Sequence, residues 1–95
     1  MSAVPGSPTL SVLIVARNAA ATIGAQLDAL AAQHLDAPWE IVVVDDGSTD
    51  GTAEVVDGRA AAMPGLRRVA GPGRGVAAAR NAALAAARAP HLAMV

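Results

Sequence analysis

Asp45 and Asp46 stand side by side within VVVDDGSTDGT, residues 42–52, where an apolar run stops and a cluster of turn-forming residues begins. Adjacent carboxylates at such a place could bind a metal, grip a nucleotide, accept a phosphoryl group or start the next helix. Two further features share the same context. Arg17 and Asn18 follow an earlier apolar run, and GPGRG at 71–75 leads towards Arg80 and Asn81. An arginine about 7 Å along a helix from its start can still reach an anion held there.

The elements that must position these residues follow from the periodicity. LSVLIVA, residues 10–16, is rich in branched residues, as in a strand buried on both faces of a parallel sheet. Asn18 can cap a helix from Ala19 to about His34, in which Ile23, Leu27, Leu30 and His34 recur at helical spacing and Gly24 is a weak point. Asp36, Ala37 and Pro38 end that helix, and WEIVVVD, residues 39–45, is the second strand. Residues 47–51 form a turn, and Thr52 to Met63 form a helix stopped by Pro64-Gly65. Leu66 to Ala70 make a third strand, Val76 to Arg88 a third helix, and Leu92 to Val95 a fourth strand. The order β-α-β-α-β-α-β leaves room only for helical crossovers between parallel strands, which is half of a doubly wound α/β sheet. Ligands of such sheets bind beyond the carboxyl ends of the strands. Arg17, Asn18, Asp45, Asp46 and the glycine loop all fall on that edge.

Composition narrows the classes. A chain of 95 residues is at most one domain, and 54% hydrophobic against 16% charged residues is far from a disordered composition. The formal net charge is -1, with seven arginines, no lysine and eight acids, so nothing points to nucleic acid and any anion site must be local. The absence of cysteine removes disulfides, thiolate metal sites and a thiol nucleophile. Residues 1–9 read as a flexible polar leader without the features of a secretory signal, and 10–95 as the domain. Apolar runs are too short for a membrane span. The ending PHLAMV, apolar and without turn or cap, is expected of a piece of a longer protein.

Several readings of the acid pair compete. A turn and helix cap accounts for Ser48 to Gly51, with glycine supplying positive φ and Ser48, Thr49 or Asp50 accepting from free helix N–H groups. It does not account for Asp46, which suffers repulsion from Asp45 without being needed by the turn. Asp46, Ser48, Asp50, Gly51, Glu54 and Asp57 approximate the offsets of a calcium loop, but an EF-hand needs an incoming helix where Ile41 to Val44 is β-branched. A phosphoacceptor receiver needs an acid after the next strand, where Val69 and Ala70 stand, and a lysine. Gly73 to Ala78 fits G-x-G-x-x-A, a dinucleotide fingerprint, although not after the first strand. Arg59, Arg67, Arg68 and Arg88 read as ordinary surface charges, Arg88 and His34 as cations near helix C-termini, and His91 as a strand-start residue. No histidine has a metal partner at ligand spacing.

SVLIVARN, EIVVVDDGSTDGT, GRGVAAARNAAL and HLAMV, taken together over Leu10 to Val95, resemble the nucleotide-binding half of an inverting family-2 glycosyltransferase. The resemblance implies a Rossmann-like half of a GT-A fold. It implies that Val15, Ala16, Arg17 and Asn18 flank a nucleobase, that Asp46 accepts a base N–H, and that Arg80 approaches the nucleotide from the third helix. Asp45, with Gly47 and Ser48, would structure the loop. The implied donor is a nucleotide-diphosphate sugar, with a UDP-sugar the leading expectation. The implied acceptor is a carbohydrate or lipid-linked hydroxyl, and no nucleic acid is a partner. Mn²⁺ or Mg²⁺ is implied for the full-length enzyme through a D-x-D motif outside this chain, with no metal ligand and no catalytic residue inside it. The resemblance also implies a cytoplasmic location, or the cytoplasmic face of a membrane reached through other regions.

The chain departs from the family pattern in three places. Arg17 replaces a frequent aromatic, Gly73 an asparagine and Ala83 a glycine. A non-catalytic nucleotide-binding module and a dinucleotide-dependent oxidoreductase are the alternative readings.

Overall fold

A computed structural model describes residues 8–33 and 38–95. Its elements are β1 (Leu10–Ala16), α1 (Ile23–Ala31), β2 (Trp39–Asp45), α2 (Thr52–Ala60), β3 (Leu66–Ala70), α3 (Val76–Ala86) and β4 (His91–Met94). The four strands form one sheet in the order β3-β2-β1-β4, with every pairing parallel. The chain therefore starts at the sheet centre, builds outward to β3 and returns across β1 to β4. That reversal lies between β1 and β4, and an α/β sheet opens a crevice at its carboxyl edge beside such a point.

Strand alternation sorts the core into two layers. Val12, Ile14, Ile41 and Val43 pack with Ile23 and Leu27 of α1, Val56 of α2 and Leu66 on one face. Leu13, Val42 and Val44 meet Ala79 and Ala83 of α3 on the other. Every residue of β2 is buried. That is why its sequence is a continuous apolar run rather than an alternating one. The small side chains of α3 let that helix lie close to the sheet. It covers β1 and β2, and leaves Leu92 and Met94 of β4 about half exposed beside exposed Leu84.

Helix ends differ from the sequence expectation. Asn18 does not cap α1: it sits at φ 50, in the left-handed region, and the helix begins five residues later at Ile23. Thr22 and Ile23 instead donate to the carbonyl of Ala19. Gly24 is buried against α2, where an added Cβ would lie 2.9 Å from Arg59 Nη2, so helix propensity is given up there for close packing. The expected end of α1 at His34, and the Asp36 and Ala37 stop signals, lie outside the described residues, as does most of the expected leader. α2 ends at Ala60 rather than Met63, and α3 at Ala86 rather than Arg88. Among the described residues no helix is long and apolar enough to cross a membrane.

The early end of α3 has a specific cause at the amino edge of the sheet. Glu40, 4% exposed, accepts hydrogen bonds from Ser11 Oγ (2.6 Å), Arg88 N (2.8 Å) and Arg67 Nε (3.2 Å). Ser11 Oγ in turn accepts from Ala89 N at 3.1 Å, and Arg67 Nη2 donates to the carbonyl of Ala86. Arg88 is thus no dipole partner: its backbone leaves the helix to reach a buried carboxylate. The other arginines expected to be solvated are paired as well, Arg59 with Asp28 and Arg68 with Asp57 at 2.8 and 2.9 Å. These exposed pairs are screened by solvent and contribute little.

Burial pushes the Glu40 carboxyl up, but the Ser11 hydroxyl, the Arg88 N–H and the Arg67 guanidinium together hold it below its usual value. A lowered folded-state pKa adds stability that is complete above the unfolded value of about 4.3 and is lost as pH falls through the lower folded value. Glu40→Gln should therefore flatten the acid limb of the stability curve relative to the parent. Parallel acid limbs in urea melts between pH 6 and pH 3 would contradict this role.

Candidate functional site

At the carboxyl edge, three chain segments are held flush past the ends of their strands. Asp46 N donates to the carbonyl of Ala16 at 2.9 Å, and Gly71 N to that of Asp45 at 2.8 Å. This extended ladder fixes the Asp46 backbone between the β1–α1 loop and the glycine loop. Its side chain is 2% exposed, and Oδ1 accepts from Gly73 N at 2.7 Å. Among the described residues no protein donor reaches Oδ2. Oδ2 is not among the buried atoms left without a partner, so it opens at the edge of the site, where a ligand N–H or water can reach it.

Asp45 serves the turn. Its Oδ1 accepts from Ser48 N at 3.2 Å, and Gly47 (φ 77) and Gly51 (φ 92) supply the left-handed backbone that the loop requires. Gly71 is constrained differently: a Cβ there would lie 2.9 Å from both Asp46 Oδ1 and Val44 Cγ1, and 3.1 Å from Asp46 Cα. Only glycine lets the loop pass this close.

The sequence reading of Ser48 to Gly51 as a turn that launches α2 is incomplete. Gly51 is the N-cap of α2 and offers no side chain; Asp50, one residue earlier, accepts on Oδ1 from Thr52 N (3.1 Å) and from the Thr52 hydroxyl (2.6 Å) at the first residue of the helix. The same segment also reaches across to the β1–α1 loop. Ser48 Oγ accepts from Asn18 N (2.9 Å), Thr52 Oγ1 from Ala19 N (2.9 Å) and Asp50 Oδ2 from Ala20 N (3.1 Å). Asn18 Oδ1 returns the contact by accepting from Thr49 N at 2.8 Å. The Thr52 hydroxyl, with help from the Ala20 and Thr52 N–H groups and against some desolvation, holds the Asp50 carboxyl below the usual carboxylate range. Thr52, fully buried, was not singled out from the sequence. Its only local signal is a hydroxyl at the first position of a helix, two residues after Asp50.

The remaining expected residues are placed as follows. Val15 is half-buried against the α3 layer, and Ala16 has its methyl in the α1–α2 core and its carbonyl on Asp46 N. Arg17 and Asn18 are exposed at the loop. Arg80 is exposed on α3 and makes no ion pair among the described residues. No group of three His, Cys, Asp or Glu side chains able to hold a metal occurs among the described residues.

The sequence signature of Glycosyl transferase family 2 matches residues 11–95. The chain belongs to that family. Solved structures agree with this family 2 assignment. The mannosyltransferase PcManGT from Pyrobaculum calidifontis, in complex with GDP-Man and Mn²⁺, is 35% identical with a TM-score of 0.76, over 93% of this chain and 27% of that one. TarS 1-349 from S. aureus, in complex with UDP, is 31% identical with a TM-score of 0.75, over 92% of this chain and 26% of that one. This family 2 chain thus spans about a quarter of the length of the solved relatives it matches. No curated protein matches it. The parallel sheet and its helices are the Rossmann-like half of a GT-A fold.

Proposed function

We propose that this chain binds the nucleotide of a nucleotide-diphosphate sugar, as the donor half of an inverting glycosyltransferase. The observation that carries the reading is Asp46, a buried carboxylate at the carboxyl edge of a family 2 sheet with Oδ2 free of protein donors. It would accept an N–H from the base edge, while Val15, Ala16, Arg17 and Asn18 flank the ring and Arg80 approaches the phosphates. A charge-assisted hydrogen bond of this kind contributes roughly 1.5–3 kcal/mol, and a base lacking the N–H leaves the acceptor unpaired.

In the longer protein, an acceptor hydroxyl deprotonated by a carboxylate base would displace the nucleotide diphosphate from the anomeric carbon with inversion. A divalent ion such as the Mn²⁺ bound by PcManGT would neutralise charge on the leaving diphosphate. No group of three acids able to hold it occurs among the described residues, and we assign its ligands to residues outside them. The described residues orient the donor and do not perform the transfer. Support for a nucleotide donor comes from relatives bound to GDP-Man and to UDP, with UDP-sugar our leading assignment.

Calorimetric titration with UDP, GDP and NAD tests this reading. A nucleoside diphosphate should bind, NAD should not, and Asp46→Asn should weaken the diphosphate roughly tenfold or more. An unchanged dissociation constant in Asp46→Asn would remove the base-reading role, and NAD binding would favour the oxidoreductase alternative.

A further inference from the structure

We propose that Ser48, Asp50 and Thr52 are positioning residues, which fix the β1–α1 loop beside the donor base by taking up three successive backbone N–H groups. This rests on the nucleotide reading of Asp46 and goes beyond it, because none of the three touches the proposed ligand position.

Residues 17 to 22 lie between the end of β1 and the start of α1, and have neither strand nor helix partners to fix their N–H groups. Asn18, Ala19 and Ala20 donate in sequence order to Ser48 Oγ, Thr52 Oγ1 and Asp50 Oδ2. The first N–H of α2 needs only one acceptor, and Asp50 Oδ1 already takes it from Thr52 N. The other interactions face away from α2 and into the neighbouring loop.

Thr52 and Asp50 form a directed chain. The Thr52 hydroxyl proton is given to Asp50 Oδ1 at 2.6 Å, which leaves the oxygen lone pairs for Ala19 N. Asn18 and Ser48-Thr49 close a reciprocal pair, with the Asn18 backbone donating one way and its side chain accepting the other. That pair requires the left-handed Asn18 backbone, a conformation unusual for a residue with a side chain. The loop that would flank the base thus takes its shape from the loop that carries Asp46. Misplacement of such a wall costs affinity even when the recognition group is intact.

The test combines amide hydrogen exchange at Asn18, Ala19 and Ala20 with UDP and GDP titration. Thr52→Val keeps the buried volume and removes the hydroxyl. It should speed exchange at Ala19 about tenfold and weaken the bound nucleotide roughly 3- to 10-fold, about the worth of one net hydrogen bond. Thr52→Ser should restore both. Ser48→Ala, at a less buried position, should act in the same direction on Asn18 and guards against a Thr52 variant that fails to fold. Faster exchange with unchanged nucleotide affinity would show a merely structural contact and overturn the proposal, as would unchanged exchange. Asp46→Asn separates the two readings, since it should weaken nucleotide and leave exchange at 18–20 at the parent rate. A parent chain that binds neither UDP nor GDP overturns both.

Discussion

Glu40→Ala is expected to lower folding stability by about 3–5 kcal/mol, the usual cost of removing one partner from a buried ion pair. Four groups lose their acceptor or their orientation at once: the fully buried Ser11 hydroxyl, the Arg88 N–H, the Ala89 N–H that depends on Ser11, and the Arg67 guanidinium. A domain of this size has only about 5–15 kcal/mol in total, so the variant should be marginal near room temperature. Glu40→Gln keeps the shape and part of the hydrogen bonding and should lose less. Urea midpoints of the two variants against the parent measure the difference. A loss below about 1 kcal/mol in Glu40→Ala would mean that the network is replaced by water at little cost.

Gly71→Ala should have the next largest effect, and it should act on the site as well as on the fold. The new Cβ would meet Asp46 Oδ1 and Val44 Cγ1 at 2.9 Å, and Asp46 Cα at 3.1 Å. The Cα cannot swing aside as a side-chain end can, so the glycine loop must move away and stretch the Gly73 N–H bond to Asp46. Overpacking of this kind costs about 1–3 kcal/mol. Nucleotide affinity should fall together with thermal stability. Gly58→Ala is the matched control: it lies within α2, with nothing within 4 Å of an added Cβ, and should stabilise by about 0.5–1 kcal/mol. If Gly71→Ala melts with the parent, the loop is not held against Asp46 as described.

Much of the scaffold was legible from residue types. β1, β2 and β3 have the boundaries read from the branched runs, because such runs sit between sharp turn signals. The alanine runs make α2 and α3 longer in expectation than in the structure, and for α3 the reason is a carboxylate at the amino edge of the sheet that propensity says nothing of. Glu40 itself carried an overlooked signal. An acid inside WEIVVVD, where the strand is buried throughout, must find partners, and they lie 27 to 48 residues away. The site was legible to the extent that local chemistry sufficed. Asp46 stood out because no turn needs it, and Asp45 because a turn does. Ser48, Asp50 and Thr52 looked like a cap because a cap is local, whereas their acceptors face N–H groups 30 to 33 positions upstream. Nothing in residue type or spacing marks such a pairing.

The strand order also dictates a timetable. β1 lies between β2 and β4, so it gains its second neighbour only after residues 91–94 have been made. The Ala89 bond to Ser11 spans 78 residues, and closing separations of this kind is slow compared with forming the local helices. Until then, Leu13 and its neighbours on the growing chain have one flank open. The polar knot at Glu40 needs Arg88 and Ala89, so it can form only once that late segment is in place.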